Sequence, residues 1–208
     1  MSAGLPAPGG AGSGVATAVR VARADDVDAV AALVHAAYRA DESRQGWTTE
    51  ADLLGGQRVD AAMVGALVAA DDGVVLVLDD AGTLEAEHRH DLAPTAPAGL
   101  VACCHVERRT ASASVGMFAV RPALQGRGVG RRLLAAAEDQ ARAWGRTTLE
   151  LTVLDHRPEL LAWYERCGFA LTGVRHPFPY GDERFGLPRR ADLALLGMTK
   201  HLDDGARP

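Results

Sequence analysis

The chain has 208 residues, of which 48% are hydrophobic and 24% charged, and its formal net charge at pH 7 is -5. This length and composition predict one globular domain with a sizeable core. The negative balance argues against a broad surface for nucleic acid and leaves room for a local basic pocket. No apolar run reaches the roughly 18 to 20 residues that span a bilayer, so we expect a soluble protein that binds neither nucleic acid nor membrane.

The two ends of the chain and its cysteines bear on where the protein works. Residues 1–17 are rich in glycine, alanine and proline and lack the regions of a signal peptide, so we interpret them as a flexible tail. Residues 18–203 form the predicted domain, and 204–208 are a short C-terminal tail. The three cysteines form no CxxC pair, which favours a reduced, cytoplasmic setting.

Hydrophobic periodicity predicts an α/β fold with a single mixed central β-sheet flanked by helices. Each strand is apolar and rich in β-branched residues, and each helix repeats apolar residues on one face. The predicted elements are, in chain order, a strand at 19–22, a helix over about 27–37, a short helix capped by Thr48 or Thr49 and ended by Gly55 and Gly56, strands at 74–80, 99–109 and 112–120, a helix at 129–144, a strand at 147–154, a helix at 158–167, and strands at 169–174 and 193–202. Residues 81–97 are predicted to form a surface loop.

The segment RPALQGRGVGRRLL places Gly126, Gly128 and Gly130 among four arginines. A P-loop would need a lysine and a hydroxyl after its last glycine, and a dinucleotide-binding GxGxxG would need glycine where Arg131 stands. A strand, a turn and a helix N-terminus would instead cradle a pyrophosphate with successive backbone N–H groups. Glycines let the backbone approach the anion and arginines add charged donors, whereas the simpler alternative is a tight turn.

With its neighbours, this segment resembles the GNAT family of N-acetyltransferases. Gln125, Gly128 and Gly130 meet the family motif Q/R-x-x-G-x-G/A, and MFAVRPALQGRGVGRRLL and WYERCGF are similar to its strand-turn-helix and its later helix and strand. The resemblance covers roughly residues 19–202 and is strongest over 116–169. It implies acetyl-CoA as the donor and an amine as the acceptor.

The resemblance also implies which residues bind the donor. Main-chain groups of the fourth family strand would pair with the pantetheine arm like an added strand, and the amides of the glycine turn would hold the pyrophosphate. The donor-binding residues expected on this basis are Phe118, Ala119, Val120, Gln125, Gly126, Arg127, Gly128, Val129, Gly130 and Arg131.

Tyr164 occupies the family's tyrosine position, so the resemblance implies that it protonates the departing thiolate of CoA. A tyrosine, with a pKa of about 10, stays protonated at neutral pH, whereas a thiol has a pKa of about 8.5. The alternative is an amphipathic core residue beside Leu160 and Leu161. A backbone amide of the strand that carries Phe118 would polarise the thioester carbonyl.

The sequence does not supply a clear general base. By the resemblance, Ser114 stands where some members of the family carry a glutamate, and Arg157 where many carry an asparagine. Glu50, Glu107, Asp182 and Glu183 are the remaining candidates. An α-amine, with a pKa of about 7.7, needs a base less than a lysine does at about 10.4. The resemblance to a subset of the family suggests that two inserts border the acceptor, with Phe178, Tyr180, Asp182, Glu183, Trp47 and Glu50 in view.

Three further predictions concern metal binding, alternative functions and dimer formation. His88, His90 and Asp91 form a short cluster without a second group of ligands, so we expect no metal site. A binding module that holds acyl-CoA without turnover, or an enzyme that acetylates protein lysine, is the alternative to an N-acetyltransferase for small amines or peptide N-termini. Strands at the end of such a sheet could also pair across a homodimer.

Overall fold

A computed structural model describes residues 19–39, 41–56, 58–79, 99–182 and 186–202. Its centre is one seven-stranded mixed sheet with the strand order β1-β3-β4-β5-β6-β9-β7, and four helices flank it. The predicted fold class is confirmed. The strands of this sheet are β1 (Val19–Val21), β3 (Gly73–Asp79), β4 (Leu100–Arg108), β5 (Ala113–Val120), β6 (Thr148–Leu154), β7 (Ala170–Pro177) and β9 (Ala194–His201). The helices are α1 (Val27–Tyr38), α2 (Ala61–Ala69), α3 (Val129–Ala143) and α4 (Pro158–Arg166).

Two hydrophobic cores lie on the two faces of the sheet. One is built with α3 and includes Leu133 and Cys104, while the other is built with α1 and includes Val34 and Cys103. The adjacent cysteines therefore point to opposite faces, as the alternation of a strand requires. Burial of α3 and α1 follows from the apolar stripe that each sequence carries.

The prediction of a short helix starting at Thr48 or Thr49 is wrong. The structure has turns after Thr48, followed by the strand β2 (Leu54–Gly55), which pairs with β8 (Leu187–Pro188) in a separate two-stranded sheet. A 3-10 helix, Asp41–Gln45, precedes this stretch. The Thr49 hydroxyl accepts a hydrogen bond from Ala51 N at 3.1 Å, so it stabilises a local turn instead of a helix start.

The second helix begins later than expected, at α2. Its N-cap is Asp60, whose carboxylate accepts a hydrogen bond from Met63 N at 2.8 Å. The sequence analysis did not predict this helix, because its apolar residues lie almost all round the helix instead of along one face.

Strand β5 contains a bulge at the centre of the sheet. Cys103 of β4 pairs with Ala119 and His105 pairs with Gly116, so one β4 residue lies opposite two residues of β5. Met117, within the bulge, has a φ of +48°, a left-handed conformation that is rare outside glycine. The bulge moves the following side chains by one position, and Phe118 faces the same core as Val115.

The parallel pair β5 and β6 is hydrogen-bonded only at its start. Ala113 pairs with Leu149 and Ser114 with Glu150, and the two strands then separate. From Val115 onward the facing edge of β5 therefore has no partner strand among the described residues. Neighbouring strands of a sheet normally lie about 4.8 Å apart, so this separation opens a cleft between the two strands.

Several predictions fall outside the described residues. These are the tail at 1–17, the loop at 81–97 with His88, His90 and Asp91, the candidate Glu183, and the tail at 204–208. At the other edge of the sheet, β7 is exposed along its whole length, and pairing across a homodimer stays a prediction.

His105 makes the stability of the fold depend on pH. Its buried Nε2 has no hydrogen-bond partner, and burial lowers the pKa of its imidazole although Glu107 and Asp72 act in the opposite direction. The unfolded chain therefore binds this proton at a higher pH than the folded chain does. The contribution of His105 to stability is complete above its unfolded pKa of about 6.5 and is lost as the pH falls below it.

We expect the variant His105→Gln to lose less unfolding free energy than the wild type between pH 7.5 and pH 5.5. Urea denaturation at both pH values measures this difference. His176, which is exposed, provides the control: His176→Gln should keep the pH dependence of the wild type. Parallel pH profiles for His105→Gln and the wild type would refute the assignment.

Candidate active site

Two cavities lie where β5 separates from β6. The larger, of about 340 Å³, follows the β5 edge towards the glycine turn, and the smaller, of about 140 Å³, lies on the side of Glu50 and Phe178. They have five lining residues in common, so the cavities meet at these side chains. The shared residues are Tyr38, Phe118, Arg157, Leu160 and Tyr164.

The glycine turn presents free backbone donors to the larger cavity. Gly126 has a φ of +78° and Gly128 a φ of +84°, conformations that glycine adopts without strain. A Cβ at either position would meet no protein atom within 4 Å, so open space lies in front of both. Within the described part of the chain, no main-chain N–H from Gly126 to Arg131 donates to another backbone group outside regular helix bonding.

Gly130 serves a different purpose. It lies in the first turn of α3, and a Cβ there would stand 3.3 Å from Trp163 of α4. The missing side chain therefore lets α4 pack closely against the start of α3. Free N–H groups at a helix start carry partial positive charge, so the turn and α3 together form an anion site.

Arginines surround this turn, although not all of them face the cavity. Arg131 lines the larger cavity, as does Arg166, which the sequence analysis did not single out. Arg127 is exposed and does not line the cavity, and Val129 is buried in the core beneath the turn. The side chain of Arg127 therefore does not line the cavity, and for Val129 the prediction concerned its main-chain amide, at the start of α3.

The free edge of β5 forms the wall of the larger cavity at Phe118, Ala119 and Val120. Two of its carbonyl groups already have partners. Tyr38 Oη donates to Phe118 O at 2.6 Å, and Gln125 Nε2 donates to Val120 O at 3.2 Å. Gln125 therefore braces the strand end against the turn.

Gln125 in turn depends on Gly46. A Cβ on Gly46 would overlap the Gln125 amide, so a larger residue there would displace this side chain from its present position. The motif glutamine thus couples the glycine turn to the loop that carries Trp47 and Thr48, both of which line the larger cavity.

Tyr164 of α4 stands where the two cavities meet. It is only 5% exposed, and its ring lies edge-on to Trp163 at 4.8 Å, to Phe169 at 5.5 Å and to Phe118 at 6.4 Å between centroids. Burial raises the pKa of its hydroxyl above the usual value, so the phenol is protonated. Its hydroxyl has no hydrogen bond to any described residue, which leaves it available to a ligand.

Tyr38, the last residue of α1, is a second, half-buried tyrosine at the site that the sequence analysis missed. Burial raises the pKa of Tyr38 to about 12, so its hydroxyl stays protonated and donates to Phe118 O, next to the bulge in β5. The sequence offered one signal, a tyrosine at the C-terminal end of an apolar helix face. Nothing in that pattern could show that the helix end would reach Phe118, which lies 80 residues further along the chain.

A buried ion cluster forms the floor of the site. The carboxylate of Glu50 accepts from Arg157 Nη1 at 2.8 Å and from Arg39 Nη1 at 3.0 Å, one arginine on each oxygen. Arg157 also donates to the Thr48 hydroxyl, which donates to Glu159 Oε1 at 2.8 Å. Glu50 is thus held as the partner of two guanidinium groups, which does not suit it to take a proton from substrate.

The other residues suggested for base or acceptor roles are dispersed. Glu107 is exposed and pairs with Arg109 at 3.1 Å, and Ser114 lies where β5 is still paired, so neither lines a cavity. Phe178 lines the smaller cavity and Trp47 the larger one.

Tyr180 holds the late insert together. Its hydroxyl donates to Arg190 O at 3.1 Å and accepts from Leu193 N at 2.8 Å, and neither Tyr180 nor Asp182 lines a cavity. The two inserts therefore do border the site, but through Trp47, Glu50 and Phe178.

Over the described ranges, no group of three His, Cys, Asp or Glu side chains could hold a metal ion. The same ranges contain no helix that combines the length and the apolar character needed to cross a membrane.

Comparisons with known proteins relate this architecture to a family. Residues 70–169 match the model of the acetyltransferase (GNAT) family. The structure of yncA from Salmonella typhimurium, a candidate acetyltransferase solved with its cofactor acetyl-CoA, is 21% identical with a TM-score of 0.59, over 92% of this chain and 96% of that chain. The ribosomal-protein-S18-alanine N-acetyltransferase from Escherichia coli is 16% identical with a TM-score of 0.57, over 89% and 93%.

A third structure is similar over a shorter range. Nourseothricin acetyltransferase is 22% identical with a TM-score of 0.47, over 63% of this chain and 66% of that chain, so the chain spans slightly less than two thirds of its length. A comparison with curated proteins gives no match. At these identities, the structures with TM-scores above 0.5 support the fold.

We expect Gly128→Ala to weaken the binding of CoA at least about tenfold, because the new methyl group enters the space in front of the free amides and forces a left-handed alanine. Isothermal calorimetry with CoA measures this loss. The same strain lowers the unfolding free energy by about 1 kcal/mol.

Gly145→Ala is the matched control for this variant. Gly145 ends α3 with a φ of +67° and also has open space at its Cβ position, but it lies at the other end of the helix. It should lose similar stability and keep the CoA affinity of the wild type. Equal affinities for CoA in both variants would contradict the role of the turn.

Proposed function

Residues 70–169 match the acetyltransferase (GNAT) family model, and from this match we propose that the chain is an N-acetyltransferase that transfers the acetyl group of acetyl-CoA to a primary amine. The acceptor amine belongs either to a small molecule or to a peptide N-terminus. The observation that carries the proposal is the meeting of two cavities at Tyr164, one with an anion site at its far end and one with room for an acceptor.

The residues of the larger cavity fit acetyl-CoA. Open space faces Gly126 and Gly128, and the unpaired amides from Gly126 to Arg131 would hold the pyrophosphate, with Arg131 as a charged donor. The edge of β5 at Phe118–Val120, which has no partner strand among the described residues, would bind the pantetheine arm by main-chain hydrogen bonds beside those that Phe118 O and Val120 O already accept. These contacts direct the thioester towards Tyr164.

Acetyl-CoA supplies an activated acetyl group as a thioester. In the proposed reaction the amine nitrogen forms a bond to the carbonyl carbon, the bond from that carbon to sulfur breaks, and CoA leaves as a thiol. Tyr164 provides the proton that sulfur needs and recovers one from the amine nitrogen, so the residue ends in its original state. The high pKa of the buried Tyr164 hydroxyl keeps this proton in place until a thiolate develops.

The cavities contain groups that would position the donor and the acceptor, but no free carboxylate of the described residues that would remove a proton from the amine. Glu50 is engaged by Arg39 and Arg157, and no other carboxylate of the described chain lines either cavity. We therefore propose that the acceptor reacts as the neutral amine, the fraction of which is set by the amine's own pKa. This favours amines of low pKa over protein lysine, with its pKa of about 10.4.

Tyr164→Phe is the variant that tests the proposed role. We expect kcat for acetyl transfer to fall by about 10²- to 10⁴-fold, the range that a positioned proton donor contributes. The Kd for CoA and the unfolding free energy should stay near wild type, because the hydroxyl has no partner among the described residues. Release of free thiol from acetyl-CoA measures the rate, and calorimetry measures binding. A loss of binding equal to the loss of rate would count against the assignment.

Tyr38→Phe provides the matched comparison, since it removes a buried hydroxyl from the same wall. That hydroxyl already has a partner, Phe118 O, so its loss should lower the unfolding free energy by about 1 kcal/mol and reduce kcat less than Tyr164→Phe does.

Thermal stabilisation of the wild type by CoA, with no thiol release for any amine, would instead favour a binding module.

A further inference from the structure

The smaller cavity is largely apolar but carries an excess of positive charge. Leu54, Val153, Phe178 and Leu195 supply much of its wall. Its charged lining residues are Glu50, Arg58 and Arg157. An apolar cavity with a few convergent polar groups is typical of a small-molecule site.

Guanidinium groups outnumber carboxylates around this cavity. Arg39 and Arg157 share Glu50, and Arg157 Nε lies 3.7 Å from Glu159 Oε1. The two carboxylates, Glu50 and Glu159, are paired with Arg39 and Arg157. Arg58 is the third guanidinium group of this region and has no carboxylate partner among the described residues. The Arg58 guanidinium carbon lies 5.6 Å from the centroid of the Tyr38 ring.

Buried donors on two of these arginines also lack acceptors. The Arg39 side chain is 2% exposed and the Arg157 side chain 6%, yet Nε and Nη2 of Arg39 and Nε of Arg157 have no hydrogen-bond partner. An unpaired buried donor costs about 1–3 kcal/mol, and more when the group is charged. A ligand carboxylate in the cavity would lower the electrostatic cost of these charges without bonding to the buried donors themselves.

We propose that the smaller cavity binds a carboxylate of the acceptor, so that the substrate is a small primary amine that itself carries a carboxylate, as a free amino acid does. The inference rests on the proposed function and narrows its acceptor class. Arg58 and the wall formed by Arg157 hold the carboxylate. Tyr164 and Phe118, where the cavities meet, receive the amine.

The chemistry of arginine and the size of the cavity favour this ligand. The guanidinium fork matches the two oxygens of a carboxylate, and one carboxylate balances the one positive charge without a partner. A peptide N-terminus presents a neutral amide at the corresponding position, which leaves that charge uncompensated in an apolar wall. A cavity of about 140 Å³ also suits a small molecule better than an extended chain.

A matched set of amines tests the acceptor class by turnover. The set consists of L-alanine, L-valine and L-leucine, the amide of each, and the corresponding amines without a carboxyl group, with thiol release from acetyl-CoA as the readout. We expect kcat/KM for at least one acid, expressed per neutral amine at the assay pH, to exceed that of its amide and its decarboxylated amine at least about tenfold, the value of one hydrogen bond to a charged group. Equal values across the set would overturn the inference and leave the N-acetyltransferase proposal standing.

Variants of Arg58 test the residue. Arg58 is half-buried and has no ion pair to break among the described residues, so Arg58→Gln should fold. We expect it to raise KM for the acid by about ten- to a hundredfold and to leave KM for the amide unchanged, while Arg58→Lys recovers part of the loss. The control is Arg109→Gln, an exposed arginine that lines neither cavity. An equal change for acid and amide would overturn the role of Arg58.

Binding of product tests the site without turnover. Calorimetry of the CoA-saturated wild type compares N-acetyl-L-leucine with its amide, and N-acetyl-L-alanine with its amide. We expect each acid to bind at least about tenfold more tightly than its amide, and Arg58→Gln to abolish the difference. Tighter binding of the acids without acetylation of any amine would refute the proposed function and support the carboxylate site. Equal affinities, or no binding of either acid, would overturn the inference.

Discussion

The separation of β5 from β6 is the constraint on which the rest of the structure depends. Parallel strands in the middle of a sheet normally pair along their length, and here the pairing ends after Ser114. The separation leaves the backbone edge of β5 without a neighbouring strand among the described residues, beside a cavity that a ligand can enter. Both cavities lie along this opening, and both include Phe118 and Tyr164 in their walls.

The bulge at Met117 gives this free edge its orientation. An extra residue turns Phe118 towards the α3 side, where it contacts Tyr164 and Trp163. Met117 takes up a left-handed conformation that costs about 1–2 kcal/mol for a residue with a Cβ. The Tyr38 hydroxyl stabilises the next peptide unit through Phe118 O. Helix α1, on one face of the sheet, thereby helps to fix a site that opens mainly on the other.

The ion cluster at the floor joins three separate segments. Arg39 follows α1, Glu50 belongs to the loop before β2, and Arg157 is the N-cap residue of α4. A buried ion pair contributes little net stability, but removal of one partner leaves an uncompensated charge at a cost of about 3–5 kcal/mol. The cluster therefore acts chiefly to hold these segments in one arrangement. Arg157, which lines both cavities, is oriented by it.

The sequence predicted the elements whose signal is local. The strands β3 to β6 and the helices α1, α3 and α4 follow from periodicity and from glycine or proline at their ends, and QGRGVG identified the turn. The short helix at Thr48 was wrong because its polar residues satisfy long-range partners: Thr48 bonds to Glu159 and Arg157, over 100 residues away. Tyr38 and the pairing of Arg157 with Glu50 were missed for the same reason.

The pairing of Arg157 with Glu50 determines how the acceptor amine can lose its proton. Arg157 is a buried cation that pairs with Glu50, a carboxylate that lines the smaller cavity. The pairing makes Glu50 part of an electrostatic wall, and no other carboxylate among the described residues lines either cavity. Tyr164, whose pKa burial raises, does not titrate at neutral pH either. In the proposed reaction the pH dependence near neutrality therefore reflects the ionisation of the acceptor amine, and the protein selects for that amine by how it binds the rest of the molecule.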